Sequence, residues 1–190
     1  MNLLKFHNKI KGYTQNRQPG IEADMEPKPI AELEEYKAAG KLENKVALIT
    51  GGDSGIGRAI AILYAKEGAN VAIGYYDEHQ DAEDTVNRLQ EMGVKAKAYA
   101  HDLKDEKQSQ KLIKDVINDF GSLNILVNNG GVQFPRDHFE DITPQQVKET
   151  FMTNIFGMMF LSQAAVPYLS EGDTIINTTS VTAYRGSGHL

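Results

Sequence analysis

The stretch Val46–Gly57, which reads VALITGGDSGIG, decides the fold of this chain. Its first part, Val46–Thr50, is apolar and predicts a strand, and the glycines that follow predict a tight turn. The next segment predicts a helix over Gly55–Glu67. A strand, a glycine turn and a helix in this order place backbone N–H groups and a helix N-terminus against a phosphate. The stretch therefore indicates a dinucleotide-binding unit.

Downstream of this stretch, short apolar segments alternate with longer amphipathic ones. The further predicted strands are Val71–Tyr76, Val94–Ala100, Ile125–Asn128 and Thr174–Asn177. The further predicted helices are Gln80–Met92, Asp105–Phe120 and a long one from Pro144 to about Leu169, with Thr143 as its N-cap. Because most strands are continuous apolar runs, we predict an α/β fold with a doubly wound, Rossmann-like parallel sheet. Five strands are present, and the sheet is truncated after the fifth.

Residues 1–43 differ from the rest because they lack hydrophobic periodicity. Gln18-Pro19-Gly20 and Met25–Pro29 are turn and extended signals, and Ile30–Ala39 predicts a short helix. We interpret residues 1–43 as an arm that lies on the domain or on a neighbouring subunit, and a disordered leader is the alternative. The dinucleotide-binding domain is then predicted over residues 44–190.

The composition excludes several classes of function. The chain has 190 residues, a net charge of −6 and no cysteine. Its acidic balance gives no long-range attraction to nucleic acid or anionic membranes, and thiol chemistry and Cys-based zinc sites are excluded. No apolar run reaches the ~18 residues that a membrane span needs. The five histidines show no ligand spacing, so we expect surface or turn positions and no metal site. A cytoplasmic protein is the simplest expectation.

The glycine loop supplies the first candidate cofactor-binding residues. Gly51 can provide the tight turn, Gly55 the close approach of a pyrophosphate, and Gly57 the close packing of the helix on the strand. The spacing is Gly-x-x-x-Gly-x-Gly, and an ordinary glycine-rich turn is the alternative. Asn129-Gly130 follows another predicted strand, where carboxamide-glycine turns line the crevice of an open α/β sheet.

Asp102 comes just after the third predicted strand. A carboxylate at this point can accept a hydrogen bond from an adenine amino group. The alternative is a solvated cap of the following helix, a role for which Asp105 is also available.

Five motifs, in order, resemble those of the classical short-chain dehydrogenase/reductase family over about residues 44–190. They are Thr50–Gly57, Asp102-Leu103, Asn128–Gly131, Asn154 and Ile176–Ser180. The resemblance implies that the chain binds NAD or NADP. It also implies which residues contact the cofactor: Gly51, Asp53, Ser54, Gly55, Ile56, Gly57, Tyr75, Asp102, Leu103, Asn129 and Gly130.

The same resemblance implies an activity, namely hydride transfer between the nicotinamide and an alcohol or carbonyl substrate. It implies that Ser180 hydrogen-bonds the substrate oxygen and that Asn154 holds a water in a proton relay. For Ser180 the alternative is a hydroxyl in a strand-end turn. The arm resembles that of a bacterial subgroup that includes general-stress and glucose/ribitol-type dehydrogenases. The long helix, apolar nearly all round over Phe151–Phe160, is implied to join a subunit interface of a homo-oligomer, a dimer or tetramer.

The family's Tyr-x-x-x-Lys pair does not follow Ser180 before Leu190. Tyr184 does not fit it, because Gly188 stands at the lysine position, and we expect Tyr184 to pack in the substrate loop. A tyrosine with a pKa of about 10 needs a nearby cation to act as a base at neutral pH. We therefore expect this chain alone to be inactive, as the N-terminal portion of a dehydrogenase. The alternative is a truncated or degenerate dinucleotide-binding protein without catalysis.

The residues that separate NAD from NADP are uncharged here. The resemblance aligns Tyr75 with the discriminating position of the second strand and Ser54 with the basic position of the loop. Asp77 and Glu78 would repel a 2′-phosphate if they point inward, and a solvated helix start is the alternative. The expectation is NAD or NADP, with a slight preference for NAD.

Overall fold

The computed structural model describes Gln15, residues 20–33 and residues 35–186. The turn signal Gln18-Pro19 and Gly188 lie outside these residues. Five strands form one parallel sheet in the order β3-β2-β1-β4-β5. They are β1 Val46–Thr50, β2 Asn70–Tyr75, β3 Ala96–Ala100, β4 Ile125–Asn128 and β5 Thr174–Asn177. The predicted doubly wound α/β sheet of five strands is confirmed.

Helices cover both faces of this sheet. They are α1 Gly55–Lys66, α2 His79–Glu91, α3 Glu106–Phe120, α4 Pro144–Phe151 and α5 Gly157–Ala165. On one face α1 and α2 pack against side chains such as Ile49 and Ile73, and on the other α3 and α5 pack against Leu48 and Leu126. Because successive side chains of a strand point to opposite faces, a continuous apolar run suits a strand covered on both sides. Within the described residues, no helix is long and apolar enough to cross a membrane.

Two strands depart from the fully buried pattern. In β5 most residues are exposed, and among the described residues the strand pairs with β4 alone. At the opposite edge β3 begins at Ala96 rather than at the predicted Val94. The reason is that the Lys95 N–H donates to the side chain of Asn70 (2.9 Å) at the point where the chain returns from α2. Most other boundaries agree with the predictions to within one residue.

The predicted long helix is helical throughout, but it is not a single α-helix. It consists of α4, a π-helical segment over Met152–Phe156, α5 and a 3₁₀ turn over Val166–Tyr168. The predicted N-cap is confirmed, because the Thr143 hydroxyl accepts from the Gln146 N–H (3.2 Å) in a capping box and Pro144 opens the helix. A π segment widens one turn and is often found at functional sites.

The helix predicted over Ile30–Ala39 is wrong for the described residues of that segment, which contain one isolated turn. The side chain of Glu67 explains why, because its Oε2 accepts from the backbone N–H groups of Ala39 (3.1 Å) and Lys41 (2.8 Å). The hydroxyl of Tyr36 donates to the same carboxylate. These tertiary hydrogen bonds replace the intrahelical ladder that the propensities favoured.

A second carboxylate anchors this segment to two helices. Glu32 forms a two-pronged pair with Arg88 of α2, with both N–O distances 2.9 Å, and an ion pair with Lys66 of α1, also 2.9 Å. These two cations lower the pKa of Glu32 to about 2. The described part of the predicted arm therefore lies against the outer side of α1 and α2.

Candidate cofactor-binding site

The strand order reverses at β1, since β2 lies on one side of it and β4 on the other. Open α/β sheets bind ligands at this switch point, outside the carboxyl ends of the strands. A crevice of about 960 Å³ opens there. Ten of the eleven predicted cofactor residues line it: Gly51, Asp53, Ser54, Gly55, Ile56, Tyr75, Asp102, Leu103, Asn129 and Gly130. Gly57, Asn154 and Ser180 are not part of the lining.

The glycine loop has the backbone geometry that its sequence predicts. Gly51 has a φ of +61°, a left-handed conformation that glycine adopts without strain. A Cβ on Gly57 would lie 1.8 Å from the carbonyl oxygen of Gly51, so α1 can pack this closely only through a glycine. A Cβ on Gly55 would meet nothing within 4 Å, so the loop is open on the side where a side chain would lie.

The hydroxyl of Thr50 joins this loop to the loop after β4. It accepts from the N–H groups of Asn129 and Gly130, each at 3.0 Å, and Thr50 is 1% exposed. The Asn129 side chain returns a bond to the Thr50 carbonyl (3.2 Å). The sequence reading did not single out this role, although a hydroxyl residue at the end of a buried strand was the available signal.

Asn154 lies in the π segment and holds the loop after β4. Its Oδ1 accepts from the Val132 N–H (2.8 Å), and its Nδ2 donates to the Val132 carbonyl (2.7 Å). This pair of bonds accounts for an asparagine inside a helix, where its propensity is poor. The role of Asn154 in a proton relay stays a prediction.

Ser180 is exposed and begins a 3₁₀ turn over Val181–Ala183. Its hydroxyl accepts from the N–H (3.2 Å) and the hydroxyl (2.9 Å) of Thr182. This is the geometry of a strand-end turn, and contact with a substrate stays a prediction. Tyr184 is 95% exposed, so the expectation that it packs in a loop is wrong for this structure.

One wall of the crevice, near the end of β2, is formed by the side chains of Tyr75, Asp53 and Glu78. The hydroxyl of Tyr75 is hydrogen-bonded to Nδ1 of His79 (2.9 Å). Asp53 and Glu78 are 5% and 8% exposed, so Glu78 does not belong to a solvated helix start. Burial raises the pKa of Glu78 to about 7, and hydrogen bonding and charge from Asp77 add to the effect. Burial also raises the pKa of Asp53.

Asp102 and Asp105 have separate roles at the end of β3. Asp105 is the N-cap of α3, where its carboxylate accepts from the N–H groups of Lys107 (2.8 Å) and Gln108 (3.2 Å). The side chain of Asp102 accepts from the Lys104 N–H (2.9 Å) at the crevice. The capping alternative therefore applies to Asp105, and the adenine contact of Asp102 stays a prediction.

His101 was expected at the surface or in a turn, and for this residue the expectation is wrong. It is 7% exposed, and burial lowers its pKa to about 4, so the ring is neutral at physiological pH. It packs beneath Gly74, where a Cβ would lie 2.6 Å from the ring. Its position next to Asp102 was the signal for a crevice residue. Among the described residues, no group of three His, Cys, Asp or Glu side chains could hold a metal ion.

Other residues of the crevice could not be identified from the sequence. The ammonium of Lys104 lies 5.8 Å from the ring centre of Tyr76 and 3.5 Å from a carboxylate oxygen of Glu149. The hydroxyl of Thr178, just after β5, donates to Asn129 Oδ1 (3.2 Å). These side chains come from distant parts of the chain, so only the fold brings them together.

The chain belongs to the short-chain dehydrogenase family, whose model, described as short chain dehydrogenase, matches residues 45–190. General stress protein 39 of Bacillus subtilis is 47% identical over 188 residues, which are 99% of this chain and 66% of that protein. Glucose and ribitol dehydrogenase of Daucus carota is 42% identical over 184 residues, 93% of this chain and 62% of that protein. The chain thus spans a little under two thirds of these relatives.

A solved structure shares the fold. It is a short-chain dehydrogenase from Burkholderia cenocepacia in complex with NADP, with a TM-score of 0.76 and 36% sequence identity. The match covers 78% of this chain and 60% of that one. The predicted family, and the subgroup that includes general-stress and glucose/ribitol-type dehydrogenases, are confirmed.

Proposed function

We propose that the crevice binds NAD or NADP and serves hydride transfer to or from an alcohol or carbonyl carbon. One observation carries the proposal: a crevice at the switch point of the sheet is lined by ten of the residues implied to contact the cofactor. A dinucleotide fits these residues, because the crevice is open on the Cβ side of Gly55, next to the N-terminus of α1. The bound cofactor would supply the hydride chemistry.

Each part of the crevice would hold a different part of the cofactor. The N–H groups at Gly55 and Ile56 would face the pyrophosphate, where the helix dipole favours negative charge. Asp102 would accept from the adenine amino group, with Leu103 beside the ring. Asn129 and Gly130 would line the path toward the nicotinamide.

We also propose catalytic roles for Ser180 and Asn154. Ser180 would hydrogen-bond the substrate oxygen, and Asn154 would hold a relay water near the loop that it fixes. Residues 181–190 contain no Tyr-x-x-x-Lys pair. We therefore propose that residues 1–190 alone bind cofactor and do not turn over substrate. Measurable turnover by this chain would contradict the proposal, and a non-catalytic role is the second candidate function.

The two aspartates near the end of β3 provide a matched test of cofactor binding. Asp102→Ala removes a crevice carboxylate, so we expect the Kd of NADH and NADPH to rise roughly tenfold, about 1.4 kcal/mol. Asp105→Ala removes a helix cap and should lower the free energy of unfolding by about 1 kcal/mol. It should leave both Kd values unchanged. Equal Kd values for wild type and Asp102→Ala, by titration calorimetry, would contradict the adenine role.

We further propose that NAD is preferred over NADP. The buried carboxyl groups of Asp53 and Glu78 line the crevice beside Tyr75, and their ionised forms, which for Glu78 predominate above about pH 7, disfavour a 2′-phosphate. The Burkholderia relative holds NADP, so both cofactors need to be titrated. A lower Kd for NADPH than for NADH would overturn this preference.

We propose a homo-oligomer for the whole protein. Four apolar side chains on the outer side of the segment from α4 to α5 are about half exposed: Phe151, Ile155, Phe156 and Met159. An apolar row of this kind suits a subunit interface. Light scattering of wild type and Ile155→Lys would test the proposal, and an unchanged mass would contradict it. The alcohol or carbonyl substrate class and a cytoplasmic location stay predictions.

A further inference from the structure

A carboxylate from the arm lies at the N-terminus of α1. Oε2 of Glu22 accepts a hydrogen bond from the Gly55 N–H at 2.6 Å. Its Oε1 pairs with Nη1 of Arg58, one turn further along the helix, at 3.0 Å. The Glu22 side chain is 11% exposed, whereas Gly55 itself is exposed to solvent.

The arm around Glu22 is held by further bonds. Gln15 and Ile21 exchange two of them: the Gln15 side chain donates to the Ile21 carbonyl (2.8 Å) and accepts from its N–H (2.6 Å). Gln15 itself lines the crevice. Glu22 begins a 3₁₀ turn that ends at Asp24, and the ion pairs of Glu32 hold the arm further along. The position of Glu22 is therefore built into the fold of the arm.

A helix N-terminus attracts one anionic group strongly, because its free N–H groups and its dipole act together. Glu22 already uses one of these N–H groups. Its charge also reaches the other side of the loop, since burial raises the pKa of Asp53 and the charges of Asp81 and Glu22 raise it further. A second anion within a few ångströms of Glu22 would be repelled by its charge.

We infer that Glu22 is a built-in competitor of the cofactor, and that a dinucleotide pyrophosphate displaces it from the N-terminus of α1. This inference rests on the proposed function, because the pyrophosphate is assigned to the same helix N-terminus. The arm then sets the affinity of the crevice for the cofactor. While Glu22 is bound to Gly55 and Arg58, its carboxylate occupies the anion position. When the arm moves away, Gly55 and Arg58 become available to the phosphate.

Glu22→Gln tests this inference in the 190-residue chain. The variant keeps the size of the side chain and one acceptor oxygen, so it can retain the bond from Gly55 or the bond from Arg58, and it removes the charge. We expect the Kd values of NADH and NADPH to fall by a factor of three to ten. The matched control is Glu26→Gln, an exposed carboxylate four residues away that makes the same change in net charge. It should change neither Kd by more than a factor of two.

Hydrogen exchange on the wild-type chain gives a second measurement that needs no variant. Saturation with NADH should increase amide exchange over residues 20–25, because the arm is displaced. An unchanged Kd in Glu22→Gln, or an arm that stays protected under saturating NADH, would overturn the inference and leave the proposed function intact. Failure of wild type and Glu22→Gln alike to bind either dinucleotide would overturn both.

Discussion

The two sides of the crevice are built with different degrees of redundancy. On the β1 side, Thr50 is buried, two glycines fix the loop, and one hydroxyl joins the loops after β1 and β4. On the β5 side most of the strand is exposed, and the hydroxyl of Ser180 accepts from the N–H and the hydroxyl of Thr182. The phosphate end of the site is therefore fixed by backbone and buried bonds, and the substrate end by short local turns.

The largest expected effect tests this contrast with two glycine substitutions. Gly57→Ala places a methyl group 1.8 Å from the Gly51 carbonyl oxygen, so the helix must move away from the loop. We expect the free energy of unfolding to fall by about 3 kcal/mol and dinucleotide binding to be lost. Gly186→Ala, on the β5 side, meets nothing within 4 Å and should be neutral in both measurements. Equal unfolding midpoints in urea for the two variants would remove the contrast.

The next effect concerns hydroxyl groups. Thr50→Val leaves the partly buried N–H groups of Asn129 and Gly130 without their acceptor, so we expect a loss of about 2 kcal/mol of unfolding free energy. Ser180→Ala removes an exposed turn bond and should change stability by less than about 0.5 kcal/mol. Both values come from chemical denaturation. If the Thr50→Val protein is as stable as the Ser180→Ala protein, the two sides of the crevice tolerate the loss of a hydroxyl group equally well.

The smallest expected effect is a pH dependence of the unfolding free energy that comes from Glu78, in the wall of the crevice. The pKa of Glu78 is raised from 4.5 to about 7 in the folded protein. As pH rises, the unfolded chain therefore loses this proton at a lower pH than the folded protein does. Stability therefore falls as pH rises through this window. Glu78→Gln should raise the unfolding free energy by about 1 kcal/mol at pH 8, and this gain should vanish near pH 4.5.

The control for this pH effect is Glu83→Gln, an exposed carboxylate on the same helix, α2. It should not change the pH dependence of thermal unfolding. A gain for Glu78→Gln that is the same at pH 5 and pH 8 would mean that the burial of its charge is not the cause.

Much of the fold could be predicted because it depends on local patterns. The apolar run of β1 and the glycine loop place α1 to within one residue of its observed end. The segment at Ile30–Ala39 could not be predicted, because the Ala39 N–H and the Tyr36 hydroxyl bond to Glu67, a residue that only the fold brings near. In such a segment tertiary bonds override helix propensity.

The candidate site shows the same division. Gly51 and Asp102 follow strands in the sequence, so the switch-point rule places them at the crevice. The contact of Glu22 with Gly55 joins residues 33 apart, and no local pattern encodes it. The burial of His101 depends on the missing side chain of Gly74, which lies on the neighbouring strand.

The π segment acts as a single-residue insertion in the long helix. The buried residue of this segment is Thr153, and the buried positions Gly157, Leu161 and Ala165 of α5 continue from it at a spacing of four residues. Deletion of Ile155 would restore α geometry and close the widened turn that carries Asn154, so we expect the two bonds of Asn154 to Val132 to be lost while α4 and α5 keep their relative orientation. Because Ile155 is 49% exposed, its side chain is not part of the core of this chain, and within the chain its place in the backbone count is what matters. Length, as much as composition, is thus what this helix has to keep.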